Sequence, residues 1–145
     1  KSDMLDRNQD SLKLYGNLTI DLAVKEENRD LQSAGLNLLG IAFSSEDELD
    51  KADSCYALSA NLLTPDSDPQ FIAGYLINSG LLLSDRGLND QAIEKYKEAI
   101  ADFKVAEDNE LYKNAIPFIL MNIYYQQGEY AKLVEYAEGI YVYTW

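Results

Sequence analysis

The chain repeats itself, and this limits its fold more than any other feature. Gly40 and Gly80, Phe43 and Leu83, Ala52 and Ala92, and Tyr56 and Tyr96 each stand 40 residues apart; Leu83 and Tyr124, and Gly87 and Gly128, stand 41 apart. Self-similarity at a period of about 20–50 residues belongs to stacked-repeat architectures, because one unit cannot bury its apolar face alone. The stretch Leu76 to Ile100 shows the unit most clearly. Leu76 and Leu83 fall on one helical face, and Gly87 can take the left-handed conformation that closes a helix. Asn89 is placed to cap a second helix on which Ala92, Tyr96 and Ala99 recur at helical spacing. The pattern predicts two helices joined by a tight turn at Asp85-Arg86-Gly87. Gly80 stands where the second helix comes close.

Three units share this phase. The first runs Leu36-x2-Leu39-Gly40-x2-Phe43, then Ala52-x3-Tyr56, then Pro65. The second runs Leu76-x2-Ser79-Gly80-x2-Leu83, then Ala92-x3-Tyr96. The third, Pro117-x2-Leu120-Met121-x2-Tyr124 and Leu133-x3-Ala137, is degenerate but keeps its turn at Gly128 and Tyr130. This skeleton resembles the tetratricopeptide repeat family, whose pattern is W-x2-L-G-x2-Y, A-x3-F and P, with Leu36 in place of the tryptophan. The resemblance covers roughly residues 30–143. It implies an all-α fold: a right-handed superhelix of antiparallel helix pairs with about seven helices and no strands. The expected organisation is a single domain over 1–145, with an N-terminal helical segment at 1–29 and repeats at 30–67, 68–107 and 108–145.

The remaining elements follow from local chemistry. Residues 3–27 carry Leu12, Tyr15, Leu18 and Leu22 as an apolar stripe, and Ser11, Tyr15 and Leu18 fall in phase with Ala92, Tyr96 and Ala99. The segment therefore reads as the second helix of a pair, or as an N-terminal cap, ending at the polar break of residues 25–30. A helix over 31–44 stops at Ser44-Ser45, and Ser45 with Glu48 forms a capping-box pattern for a helix over 47–63. Thr64-Pro65 ends that helix. Asp68 as cap and Pro69 as first helical residue start the next, over 69–86, followed by one over 89–104. A polar connection spans 104–113, Asn114 and Pro117 open a further helix, and the last begins near Glu129.

The inventory of reactive groups is short. There is no histidine, no glycine-rich phosphate loop and no nucleophile elbow. Cys55, the single cysteine, sits beside Tyr56 and reads as a packed side chain, because a nucleophilic cysteine usually works with a histidine. The acidic run Glu46, Asp47, Glu48, Asp50 and Asp53 lacks the glycine and ligand spacing of a calcium loop and reads as a solvated first helical turn. The expectation is a non-enzyme with no cofactor and no metal. With 12 basic against 25 acidic residues, the charge of −13 disfavours nucleic acid and anionic membranes. No apolar run reaches the ~20 residues of a membrane span. The cytoplasm is the expected compartment, or an extracytoplasmic one if a leader has been removed.

Function is therefore expected in the groove. In stacked helix pairs the first helix of each pair lines the concave face. The family geometry places Asn37, Ile41, Ser44 and Ser45 there in the first repeat, and Ile77, Leu81, Ser84 and Asp85 in the second. Phe118, Asn122, Tyr125 and Gln126 follow in the third. The candidate binding residues for a protein or peptide are Asn37, Ile41, Ile77, Leu81, Phe118, Asn122 and Tyr125. Members that clamp a terminal carboxylate use Lys and Arg on these helices, but residues 33–45 and 71–85 contain neither. An apolar or mixed ligand, an extended peptide or an amphipathic helix, suits the groove better. A scaffold is the first reading; a sensory or regulatory segment of a larger bacterial signalling or transcription-linked protein is the alternative. Tyr136, Tyr141, Tyr143 and Trp145 crowd the C-terminal edge, where a following segment or self-association is expected.

Overall fold

A computed structural model describes residues 2–105 and 119–143, with side chains placed for 7–101, 119–135 and 138. The described residues form seven helices and no strand. They are α1 (Ser2–Lys25), α2 (Arg29–Ser45), α3 (Leu49–Leu62), α4 (Pro69–Asp85), α5 (Asn89–Val105), α6 (119–126) and α7 (Tyr130–Tyr143).

One turn is used four times. Asn28 N–H donates to Ala23 O, Glu48 to Phe43, Leu88 to Leu83 and Glu129 to Tyr124, at 2.8 to 2.9 Å. Each bond spans five residues, and each encloses one residue with positive φ: Glu27 (52°), Asp47 (61°), Gly87 (77°) and Gly128 (69°). This arrangement satisfies carbonyls that a helix end leaves without partners. It also explains why the capping box at Ser45 and Glu48 does not form. Ser45 Oγ donates back to Ile41 O at 2.9 Å, and Glu48 precedes α3 without a side-chain cap bond. The short closure around Asp47 takes the residues that the box would need. Two further local expectations shift: Asn89 is itself the first residue of α5, and Asn28 caps α2 by accepting from Leu31 N–H at 3.0 Å. Asp68 caps α4 as expected, accepting from Gln70 N–H at 3.0 Å, with Pro69 following.

Glu27 and Asp47 pay the steric cost that a Cβ imposes in the left-handed region. Glu27→Gly and Asp47→Gly should therefore each stabilise the fold by about 1 kcal/mol, read as a higher denaturant midpoint at unchanged slope.

Helix pairs lock by placing an aromatic ring on a glycine. A Cβ built at Gly40 would lie 2.4 Å from Cε1 of Tyr56, and one at Gly80 2.7 Å from Cε1 of Tyr96. Both rings are buried, with Ala52 beside the first and Ala92 and Ala99 beside the second. The 40-residue spacing of Gly, Ala and Tyr is thus a repeated interlock between α2 and α3 and between α4 and α5. Ser33 and Ser59 extend the first interlock, their hydroxyls 2.6 Å apart in a fully buried setting. Cys55 is buried as expected, and burial pushes its thiol up from the ordinary value.

Neighbouring pairs stack in register. Asp68 N–H, before α4, donates to Asp30 Oδ2 in the first turn of α2 at 3.1 Å. Arg86, after α4, reaches Asp50 and Asp53 of α3, both at 3.0 Å. Gln126 Nε2, at the end of α6, donates to Ser84 Oγ at 2.6 Å. Starts lie near starts and ends near ends, so α2 and α4 run alongside one another in the same direction, and the end of α6 lies beside that of α4. Leu76, Ala92, Ile93, Tyr96, Ile119 and Ile123 make one continuous core from α4 to α6.

The phase expected for α1 is overturned. Tyr15 and Leu18 are 61% and 53% exposed, whereas Gly16 and Ala23 are buried. Gly16 and Gly35 meet where α1 crosses α2: a Cβ on Gly35 would stand 2.7 Å from Ile20 Cγ1 and 3.0 Å from Gly16 O. Two glycines let the backbones approach more closely than a leucine stripe would, so the glycine face turns inward. Lys13 secures the same pair, donating to both Glu46 carboxylate oxygens (2.6 and 2.7 Å) with its Nζ 5.2 Å from the Phe43 ring centre.

Candidate groove on the first-helix layer

Residues 37, 41 and 44 share one face of α2, and 77, 81 and 84 share the matching face of α4, since three- and four-residue steps return to the same side of a helix. Capping and end contacts hold these helices side by side, which sets the two faces next to one another. Ile41, Ile77, Leu81 and Asn122 are half-buried, and Tyr125 is exposed. Ile77 and Leu81 pack against the α4–α6 core with part of their surface and leave the rest open. Tyr125 meets Tyr130 edge-on, ring centres 6.0 Å apart. Gly74, one turn before Asn78, has open space where a side chain would project. Phe118, Asn114 and Pro117 lie outside the described residues, as do Trp145 and the side chains of Tyr136, Tyr141 and Tyr143.

Asn37 departs from the expectation of an open groove residue: it is only 8% exposed. Among the described residues nothing donates to its Oδ1. A buried amide oxygen without a donor costs about 1–3 kcal/mol, and this one is closed to an incoming ligand as the helices stand. Composition alone could not have shown this, because asparagine at a helix position reads as surface until its neighbours are placed.

The acidic run beside the groove is occupied by internal pairs. Glu46 binds Lys13, Glu48 pairs with Lys51, and Asp50 and Asp53 bind Arg86. Asp47, Asp50 and Asp53 stay exposed, as a solvated first turn implies, while Glu46 with Lys13 and Asp50 and Asp53 with Arg86 also link neighbouring helices. No grouping of His, Cys, Asp or Glu arranged to hold a metal ion occurs among the described residues, and no described helix is long and apolar enough to cross a membrane.

A second recess lies away from this layer. Ala60, Leu63 and Pro65, at the end of α3, together with Ile72 and Tyr75 of α4 and Ala101 of α5, line an open hollow of about 500 Å3. Glu98 of α5 and Thr64 also stand on its wall. No family model, curated protein or solved structure matches this chain.

Proposed function

We propose that the chain is a tetratricopeptide-like right-handed superhelix that binds an extended peptide segment of a protein partner along the α2–α4–α6 layer. The role is recognition, with no catalytic step. The row of partly open apolar residues Ile41, Ile77 and Leu81, with exposed Tyr125 beyond it, carries this reading, because apolar surface left open along one layer marks an interaction site. Ile41, Ile77, Leu81 and Tyr125 supply apolar contact for alternate side chains of an extended ligand, and the bare backbone at Gly74 leaves room for its main chain. The chain's negative charge favours ligands without acidic clusters.

Selection from a random-peptide display library, followed by fluorescence anisotropy on the winners, tests the proposal. Selected peptides should alternate large apolar side chains. Leu81→Asp should weaken them by tenfold or more, about 1.4 kcal/mol. Peptides whose affinity is unchanged by folded Leu81→Asp and Tyr125→Ala variants would move the site off this layer.

A further inference from the structure

Helix α1 turns its apolar stripe outward. Leu14, Tyr15, Leu18 and Leu22 are 52% to 61% exposed, on the side opposite the glycine crossing with α2. At 3.6 residues per turn, Arg7, Ser11, Leu14, Leu18, Leu22 and Lys25 fall within about 40° of one line, with Tyr15 and Asp21 flanking it. The four large side chains form one contiguous exposed apolar stripe, unlike singly scattered exposed residues.

We infer that this face pairs with the same face of a second copy, in an antiparallel helix–helix contact centred on Leu18. Two features of the face select a second copy over an unrelated partner. The first is charge. The chain carries −13, yet among the described residues of α1 the charged ones on this face and its rim, Arg7, Asp21 and Lys25 with Asp10 at the edge about 80° from the line, balance to zero. Two copies therefore meet here without the repulsion they would meet elsewhere. The second is self-complementary register. A two-fold axis through Leu18 sets Leu14 of one copy against Leu22 of the other and Tyr15 on the flank of that same leucine. It also brings Lys25 of each copy beside Asp10 of the other, so the ion pair forms twice. A parallel arrangement stacks Asp10 on Asp10 and Lys25 on Lys25. A single helix face is smaller than the ~800 Å2 per partner of a standard interface, so the dimer is a weak one that forms only as concentration rises.

Sedimentation velocity across a concentration series of the whole chain tests the inference. Wild type should pass from monomer to dimer. Leu18→Lys should remain monomeric with an unchanged circular dichroism spectrum, since the side chain is exposed. Lys25→Glu and Asp10→Lys should each weaken association about tenfold, and the double variant Asp10→Lys, Lys25→Glu should recover it. For orientation, Leu14→Cys and Leu22→Cys chains, each carrying Cys55→Ser, should on mixing and oxidation give the mixed cross-link in preference to either homodimer. A wild-type chain that stays monomeric at every concentration would assign the stripe to a different partner and overturn the inference. Association that survives Leu18→Lys, or homodimeric cross-links, would overturn it as well.

Discussion

Gly40→Leu and Gly80→Leu should each destabilise the fold by about 3 kcal/mol or more, the upper end of overpacking costs. The reason is specific to the ring above each glycine. At Gly40 even a Cβ would lie 2.4, 2.7 and 2.9 Å from three atoms of the Tyr56 ring, and at Gly80 2.7 Å from Tyr96. Neither ring can swing aside, because Tyr56 is 4% and Tyr96 1% exposed. The alanine variants should also destabilise, the helix preference of alanine, about 1 kcal/mol, offsetting only part of the clash. Gly74 is the internal control: it lies in α4, the same helix as Gly80, yet nothing stands within 4 Å of its would-be Cβ. Gly74→Ala should therefore stabilise by about 0.5–1 kcal/mol. Urea unfolding of the set decides the matter. A Gly40→Leu midpoint equal to wild type would show that the glycine–tyrosine interlock does not hold the pairs together.

Stability should fall steeply between about pH 10 and 12. Burial, reinforced by the charge of Asp85, pushes the Tyr96 hydroxyl up to about 12. Burial raises Tyr56 further still, with Cys55 and Asp85 adding to it. In the unfolded chain both hydroxyls titrate near the ordinary value of about 10. Above that pH the unfolded state has released protons that the folded state still holds, so each rise in pH favours unfolding. The contribution of Tyr96 is fully present below about pH 10 and is lost by about pH 12; two units correspond to about 3 kcal/mol. Tyr96→Phe should remove that share of the alkaline loss. At neutral pH it should be neutral or mildly stabilising, because the hydroxyl is buried and nothing among the described residues bonds it. Thermal midpoints against pH for wild type and Tyr96→Phe provide the measurement; parallel curves above pH 10 would exclude Tyr96 as the titrating group.

The helix pairs and their turns were legible because they are recorded in short-range chemistry. Gly87 and Gly128 close helices where only a small sequence window is needed to see it, and Asp68-Pro69 starts α4 as its local preferences dictate. The close approach at Gly80 was legible because the same small and large residues recur at a fixed interval, whereas the rings that fill Gly40 and Gly80, Tyr56 and Tyr96, came from the structure. The turn at Asp47 was hidden, since an aspartate with φ of 61° gives no composition signal, and the capping-box reading filled the gap wrongly. Of the groove residues, Ile41, Ile77, Leu81 and Tyr125 keep open surface, whereas Asn37 is enclosed.

By itself the sequence determined the helical class, the period and the close crossing at Gly80, since each follows from residue spacing along one or two adjacent helices. The tertiary structure decided which face of α1 turns inward. Tyr15 and Leu18 look like core residues by hydrophobicity, but Gly16 and Gly35 permit a closer backbone approach than those side chains allow, and packing favours the closer contact. It also decided that Glu46 and the Asp50–Asp53 pair tie neighbouring helices together and that Asn37 Oδ1 lacks a donor. The ion pairs join groups 33 and 36 positions apart in the chain, brought together only when the helices pack.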